Sequence, residues 1–217
     1  MSLETAWPWL ALLLLGAFHG INPGMGWLFA VALGLQEQRR QAVWAALLPL
    51  ALGHALSVGA AVLVLGVIQI VLSEALLHYL CAAVLLAFGL YRLVRARHPR
   101  WVGMRVNFRD LTVWSFLMAS AHGAGLMLVP VLLRWPTADY AHARFIQDVS
   151  PESLARAPVL LLAAVGVHTL SMLLVTGAVA VLVYEKLGLA LLRQAWFNVD
   201  LLWAVALLVA GLLILVL

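Results

Sequence analysis

Six apolar stretches, each long enough to cross a lipid bilayer, constrain this chain more than any other feature. A spanning helix needs about 20 mostly apolar residues, and the stretches 7–35, 42–72, 75–94, 111–133, 158–184 and 189–217 meet that length. Backbone polar groups have no water to bond inside a bilayer, so such segments fold as helices that satisfy themselves. Composition agrees. Hydrophobic residues make up 65% and charged residues 10% of the 217, against roughly 25% charged in a soluble domain. So few charges cannot coat a water-facing surface. The expected fold class is an all-α polytopic membrane protein with six transmembrane helices.

The run 10–15 is read as part of a retained first helix and not as a secretory leader, because no Lys or Arg precedes it and Glu4 is the only earlier charge. Cys81 is the single cysteine, which leaves no intrachain disulfide and a packing role. Lys and Arg set the expected orientation. With six spans, one side holds Arg39, Arg40, Arg92, Arg95, Arg97, Arg100, Arg105, Arg109, Lys186 and Arg193, and the other only Arg134, Arg144 and Arg156. This places both termini outside the cytoplasm, in a bacterial inner membrane. The basic loop 92–109 is expected to lie on anionic headgroups, so the net charge of +4 implies no nucleic-acid partner.

Short motifs recur in order. The first span carries Ala17-Phe18-His19-Gly20 and the fourth Ser120-Ala121-His122-Gly123. The second carries Gly53-His54-Ala55-Leu56-Ser57 and the fifth Val167-His168-Thr169-Leu170-Ser171. The third and sixth have no histidine in their apolar middles. This divides the chain into residues 1–110 and 111–217, two three-helix copies within one membrane domain. Copies of three helices enter the membrane from opposite sides, a 3+3 inverted repeat of the kind common in secondary transporters.

Polar groups at such depth are costly and face a cavity or the bundle interior. His19, His54, His122 and His168 are therefore the candidate metal ligands. Neutral imidazole suits copper, zinc, nickel or cobalt. Ser57 and Ser171 follow their histidines by three residues, on the same helix face. Asn22 stands in the same relation to His19, and Asn22-Pro23-Gly24 is expected to break the first helix, freeing backbone groups for a solute. Gly123, Gly125 and Pro130 offer a softer counterpart in the fourth span. Met25 and Met172 lie near the same stretches, and thioether with imidazole would favour a soft ion such as copper(I). The absence of Asp and Glu from the helix middles speaks against calcium or magnesium. Asn198 and Asp200 are weaker candidates for a proton or ion relay.

These motifs resemble those of the six-helix lysine-exporter superfamily, and within it the nickel–cobalt transporter and urease-accessory-like branch. Gly53-His54-Ala55-Leu56-Ser57 is similar to that branch's second-helix motif. His19-Gly20-Ile21-Asn22-Pro23 matches its first-helix motif in position, with Asn22 where the branch has an acid. The resemblance implies a metal-ion transporter with His19, His54 and Asn22 among its ligands. The wider superfamily exports amino acids and other small solutes, so an exporter or exchanger of a small organic solute is the alternative. An intramembrane metal-dependent enzyme lacks a carboxylate base at mid-membrane, and no catalytic triad, phosphate loop or haem motif is present. A metal-insertion subunit working with a membrane partner, or a homo-oligomer, is compatible with the same residues.

Overall fold

The computed structural model describes residues 3–94, 107–135, 151–187 and 199–216. It is 92% helical, with no strand among the described residues. The helices are α1 (Leu3–Ile21), α2 (Trp27–Glu37), α3 (Arg40–Val71), α4 (Glu74–Val94), α5 (Phe108–Ala121), α6 (Val129–Leu133), α7 (Pro151–Leu182) and α8 (Val199–Val216). A π-helical turn, Val183–Leu187, extends α7.

Two of the expected spans are broken. Pro23 has no amide hydrogen to continue α1, and Asn22 caps a short 3-10 turn (Pro23–Met25) by accepting the Gly24 amide at 2.8 Å. Gly26 then turns the chain into α2 at φ +116°, a left-handed conformation that suits glycine. The second break is as complete as the first. Here α5 ends at Ala121, Gly123 adopts φ +67°, and a 3-10 turn (Leu126–Leu128) leads into α6. The segments before and after this break are bent by 49°. The start of α5 is fixed by a capping box, in which Asn107 accepts the Asp110 amide at 2.9 Å and Asp110 accepts the Asn107 amide at 3.2 Å.

Three helices are each long and apolar enough to cross a membrane among the described residues: Arg40–Ile68, Ala75–Val94 and Pro158–Lys186. The bent pair Phe108–Ala121 and Leu126–Leu133 makes a fourth. Three to four candidate spans thus stand where six are expected. The break at residues 22–26 divides the first expected span into the shorter apolar helices Ala6–Ile21 and Trp27–Glu37, and the sixth is represented by Leu201–Val216. The outer surface is apolar: Leu48, Leu63, Leu162 and Leu174 are each more than 60% exposed. This is a surface for lipid rather than for water, and the fold is compatible with an integral membrane protein.

Three helix pairs build the bundle. α1 runs parallel to α7, since Gly16 meets the His168 carbonyl and Gly20, one turn on, meets the Met172 carbonyl. α3 runs parallel to α5, since Ser115 Oγ donates to the Leu50 carbonyl at 2.6 Å and Ser57 Oγ lies 2.9 Å from Ser120 Oγ. α4 and α8 are antiparallel: Gly89 packs on the side chain of Leu208, and Gly211 on that of Leu86. The ion pair Arg40–Glu185 at 3.1 Å joins the start of α3 to the end of α7 at one end of the bundle. At the other end, Trp9 meets Trp135 edge to face at 5.0 Å. There Trp7, His78, Pro130, Arg134 and Leu213 line a cavity of about 700 Å³.

The parallel pairs depend on bare glycine surfaces. A Cβ at Gly53 would lie 2.2 Å from the Thr112 carbonyl oxygen and 2.8 Å from Ser115 Cβ. Gly53→Ala should therefore push α3 from α5 and destabilise the protein by about 1–3 kcal/mol. Gly59, on the same helix, has open space around it, so Gly59→Ala should be neutral or slightly stabilising. Thermal unfolding of the two variants in matched detergent checks the contrast; equal losses would contradict this packing.

Candidate functional site

Three of the four candidate histidines meet at the centre of the bundle. His19 comes from the last turn of α1, just before its break, and His54 and His168 come from the middles of the long helices α3 and α7. All three are fully buried. Ring centres are 5.5 Å apart for His19 and His54, 4.9 Å for His19 and His168, and 5.4 Å for His54 and His168.

Their protonation pattern follows from acceptor-only partners. His19 Nδ1 lies 2.6 Å from the Leu15 carbonyl, and His168 Nδ1 lies 3.3 Å from the Leu12 carbonyl. A carbonyl only accepts, so in each neutral ring Nδ1 carries the hydrogen and Nε2 keeps its lone pair. His19 Nε2, His168 Nε2 and both nitrogens of His54 are buried without a hydrogen-bond partner. Each such group carries a penalty of about 1–3 kcal/mol. Asn22 Nδ2, at the α1 break, is in the same condition. A cluster of unpartnered nitrogens is costly for a structural core and is what a polar ligand would relieve.

Ring spacing and ring aim differ as metal criteria. Imidazole centres around one tetrahedral ion sit roughly 5 Å apart, close to the spacing seen. His54 and His168, however, stack within 16° of parallel, which does not point their nitrogens at one centre. Among the described residues no group of three or more His, Cys, Asp or Glu is arranged to hold a metal ion. Coordination would need one of the stacked rings to turn.

His122 stands apart from the triad. It closes α5, and its Nδ1 donates to the Met118 carbonyl at 2.8 Å, four residues back, as His19 does to Leu15. Its Nε2 then accepts from Arg92 Nη2 at 3.3 Å. Arg92 is only 4% exposed. The expectation that Arg92 belongs to a headgroup-binding loop is therefore corrected: the last turn of α4 directs it into the bundle, where His122 accepts its hydrogen bond. The loop residues 95–106 lie outside the described residues, as do Asn198 and the side chain of Asp200.

The remaining candidates divide by what they touch. Ser57 ties α3 to α5 through Ser120, and Ser171 ties α7 to α1 by donating to the Leu13 carbonyl at 2.7 Å. Both are helix fasteners beside the triad. Met25 lies buried in the apolar core. Met172 sulfur accepts the Thr176 hydroxyl at 3.4 Å, and neither thioether has a described contact with the three rings.

Trp203 is the functional residue that motif reading missed. It is fully buried on α8. Its ring stacks on Phe18 at 4.9 Å, meets His19 edge to face at 4.4 Å and lies 5.5 Å from His122. The indole N–H donates to the His122 carbonyl at the α5 break. Trp203 thus touches both His19 and His122, and the His122 ring also packs against the α1 break, where a Cβ at Gly24 would lie 3.4 Å from its Cε1. A lone tryptophan in an apolar helix gives no motif; its four-residue spacing from Leu207 puts the two on one face of α8, and both are buried.

No protein-family model, curated protein or solved structure matches this chain. The chemistry of the site is read from its own geometry.

Trp203→Phe keeps an aromatic ring against Phe18 and removes the donor to the His122 carbonyl. It should lower stability by about 1 kcal/mol, and Trp203→Leu, which also loses the stacking, should lower it further. Thermal unfolding in detergent checks both; a neutral Trp203→Phe would mean that the indole hydrogen bond contributes nothing.

Proposed function

We propose that this protein is a membrane transporter whose substrate is a transition-metal ion, held at mid-membrane by His19, His54 and His168. The observation that carries this reading is the meeting of three buried imidazoles from three different helices, with four ring nitrogens unpartnered. Neutral imidazole binds zinc, copper, nickel and cobalt. Turning one stacked ring would bring three nitrogens to a common centre, and the Asn22 amide beside the break offers a further polar contact. The resemblance to nickel–cobalt transporters points the same way.

Transport architecture supports it. Taking α1 with α2, and α5 with α6, as two broken spans gives six crossings with α3, α4, α7 and α8. Discontinuous helices beside a mid-membrane site are a transporter feature. The packing also obeys an exchange of the two halves. First with fifth and second with fourth are both parallel pairs, and third with sixth is antiparallel and reciprocal. Gly89 lies on Leu208 and Gly211 on Leu86, and a Cβ at either glycine would lie 2.9 Å from the leucine Cγ. Gly89 and Gly211 are 122 residues apart (211 less 89), as are Leu86 and Leu208 (208 less 86). We take this as a 3+3 inverted repeat. Arg39, Arg40 and Lys186 stand at the Arg40–Glu185 end, which is the cytoplasmic end in this reading, with both termini opposite.

A small organic solute is the second reading, favoured by the stacked aim of His54 and His168 and by the metal-free arrangement of the group as placed. There the rings would act as hydrogen-bonding and proton-coupling groups.

Titration of the purified full chain in lipid nanodiscs with zinc, nickel, cobalt and copper(I) separates the two. One of these ions should bind to wild type, and the double variant H54A/H168A should lose binding altogether. Unchanged binding in the double variant, or none in wild type alongside solute flux in metal-free liposomes, would end the metal reading. Protons compete with metal for the same nitrogens. Affinity should therefore hold at neutral pH and fall only where the medium is acid enough to protonate the rings, and binding that persists after the rings are protonated would exclude imidazole ligation.

A further inference from the structure

The halves are related in packing, yet their histidines are not used alike. Exchange of the halves swaps His54 with His168 and His19 with His122. The triad holds the first pair and only one member of the second. His19 and His122 nevertheless have the same local chemistry: each ends the helix before a break, each donates Nδ1–H to the carbonyl four residues back, and each therefore presents Nε2. What separates them is what Nε2 meets. His19 Nε2 is unpartnered in the triad, and His122 Nε2 accepts from Arg92.

We propose that His54 and His168 are constant ligands and that the third place is filled alternately by His19 and His122. The structure shows the His19 arrangement; the exchanged one brings His122 to the pair and retires His19. This rests on the reading of the triad as a metal site. A symmetric protein in one of two mirror-ordered states must have a second state in which the halves trade roles, and among the described residues the imidazole with the matching position, tautomer and helix break is His122. Arg92 is the asymmetric element. Its counterpart at the same 122-residue shift is Ile214, a buried apolar residue, so a guanidinium holds His122 back while nothing equivalent can hold His19. Arg92 is thus a positioning residue that biases the protein toward the state described.

Zinc titration of the full chain in nanodiscs tests this, with X-ray absorption at the zinc edge to count imidazole ligands. H54A should abolish binding. H19A should retain three imidazoles on zinc, with affinity lowered only by the scarcity of the exchanged state, about 10- to 100-fold for a population of roughly 1–10%. H19A/H122A should lose saturable binding. H19A/R92I should bind more tightly than H19A, because His122 is released. If H19A binds zinc with two imidazoles, or loses binding as H54A does, the alternation is overturned while the metal reading survives. If wild type binds no zinc, nickel, cobalt or copper(I), the metal reading fails and the alternation with it. H19Q replaces H19A if the alanine chain does not fold, since its amide fills the ring's space and poses the same question.

Discussion

Close backbone contact between α1 and α7 is the constraint on which the centre of this molecule depends. In lipid, helices gain nothing from hiding apolar surface, so association rests on packing and on hydrogen bonds between helices. Gly16 and Gly20 bring α1 onto the carbonyls of His168 and Met172. At that distance Ser171 reaches the Leu13 carbonyl, His168 reaches the Leu12 carbonyl, and Thr176 reaches the Gly20 carbonyl at 3.3 Å. The His19 and His168 rings are neighbours because these two helices cannot sit further apart without losing all three bonds. Gly53 against Thr112 does the same for α3 and α5.

The second consequence is that both broken helices are tolerated. A break inside a bilayer frees carbonyls and amides, and each unsatisfied group costs several kcal/mol. The α1 break is satisfied locally: Asn22 caps Gly24, and Trp27 Nε1 donates to the Ile21 carbonyl at 2.9 Å. The α5 break is satisfied from afar, by Trp203 on α8. The first device is written in adjacent residues, and the Asn22-Pro23-Gly24 break was legible for that reason. The second depends on a tryptophan 81 residues away in sequence, and no local pattern announces it. Gly123 and Pro130 suggested only a softening.

Much of the site was readable, within limits that physics sets. Depth in an apolar run identifies a histidine that must face the interior, and this held for His19, His54, His122 and His168, all buried. Depth does not say which interior space a ring enters. His122 is as deep as His19, yet its Nε2 meets Arg92 and not the triad. Arg92 shows the converse failure. It stands at the edge of a run of arginines, where charge density implies headgroups, but the direction in which a terminal helical turn points is fixed by its neighbour, α8, and not by its own sequence. The span count has a similar limit, because length and apolarity describe a crossing only when the helix is continuous.

The hydrogen bonds around the triad also explain why it can be left with bare nitrogens. Four unpartnered ring nitrogens at about 1–3 kcal/mol each would favour rearrangement of the rings toward nearby carbonyls or toward the guanidinium of Arg92. Two of those routes are closed. Leu15 and Leu12 already occupy the Nδ1 atoms of His19 and His168, and Arg92 Nη2 is engaged by His122 Nε2 at 3.3 Å. His54 has neither constraint, with no partner on either nitrogen. It is the ring free to turn, and because it is the one stacked on His168 its rotation is the motion that converts a stacked pair into a converging one. The frustration of the cluster is thus concentrated on one side chain.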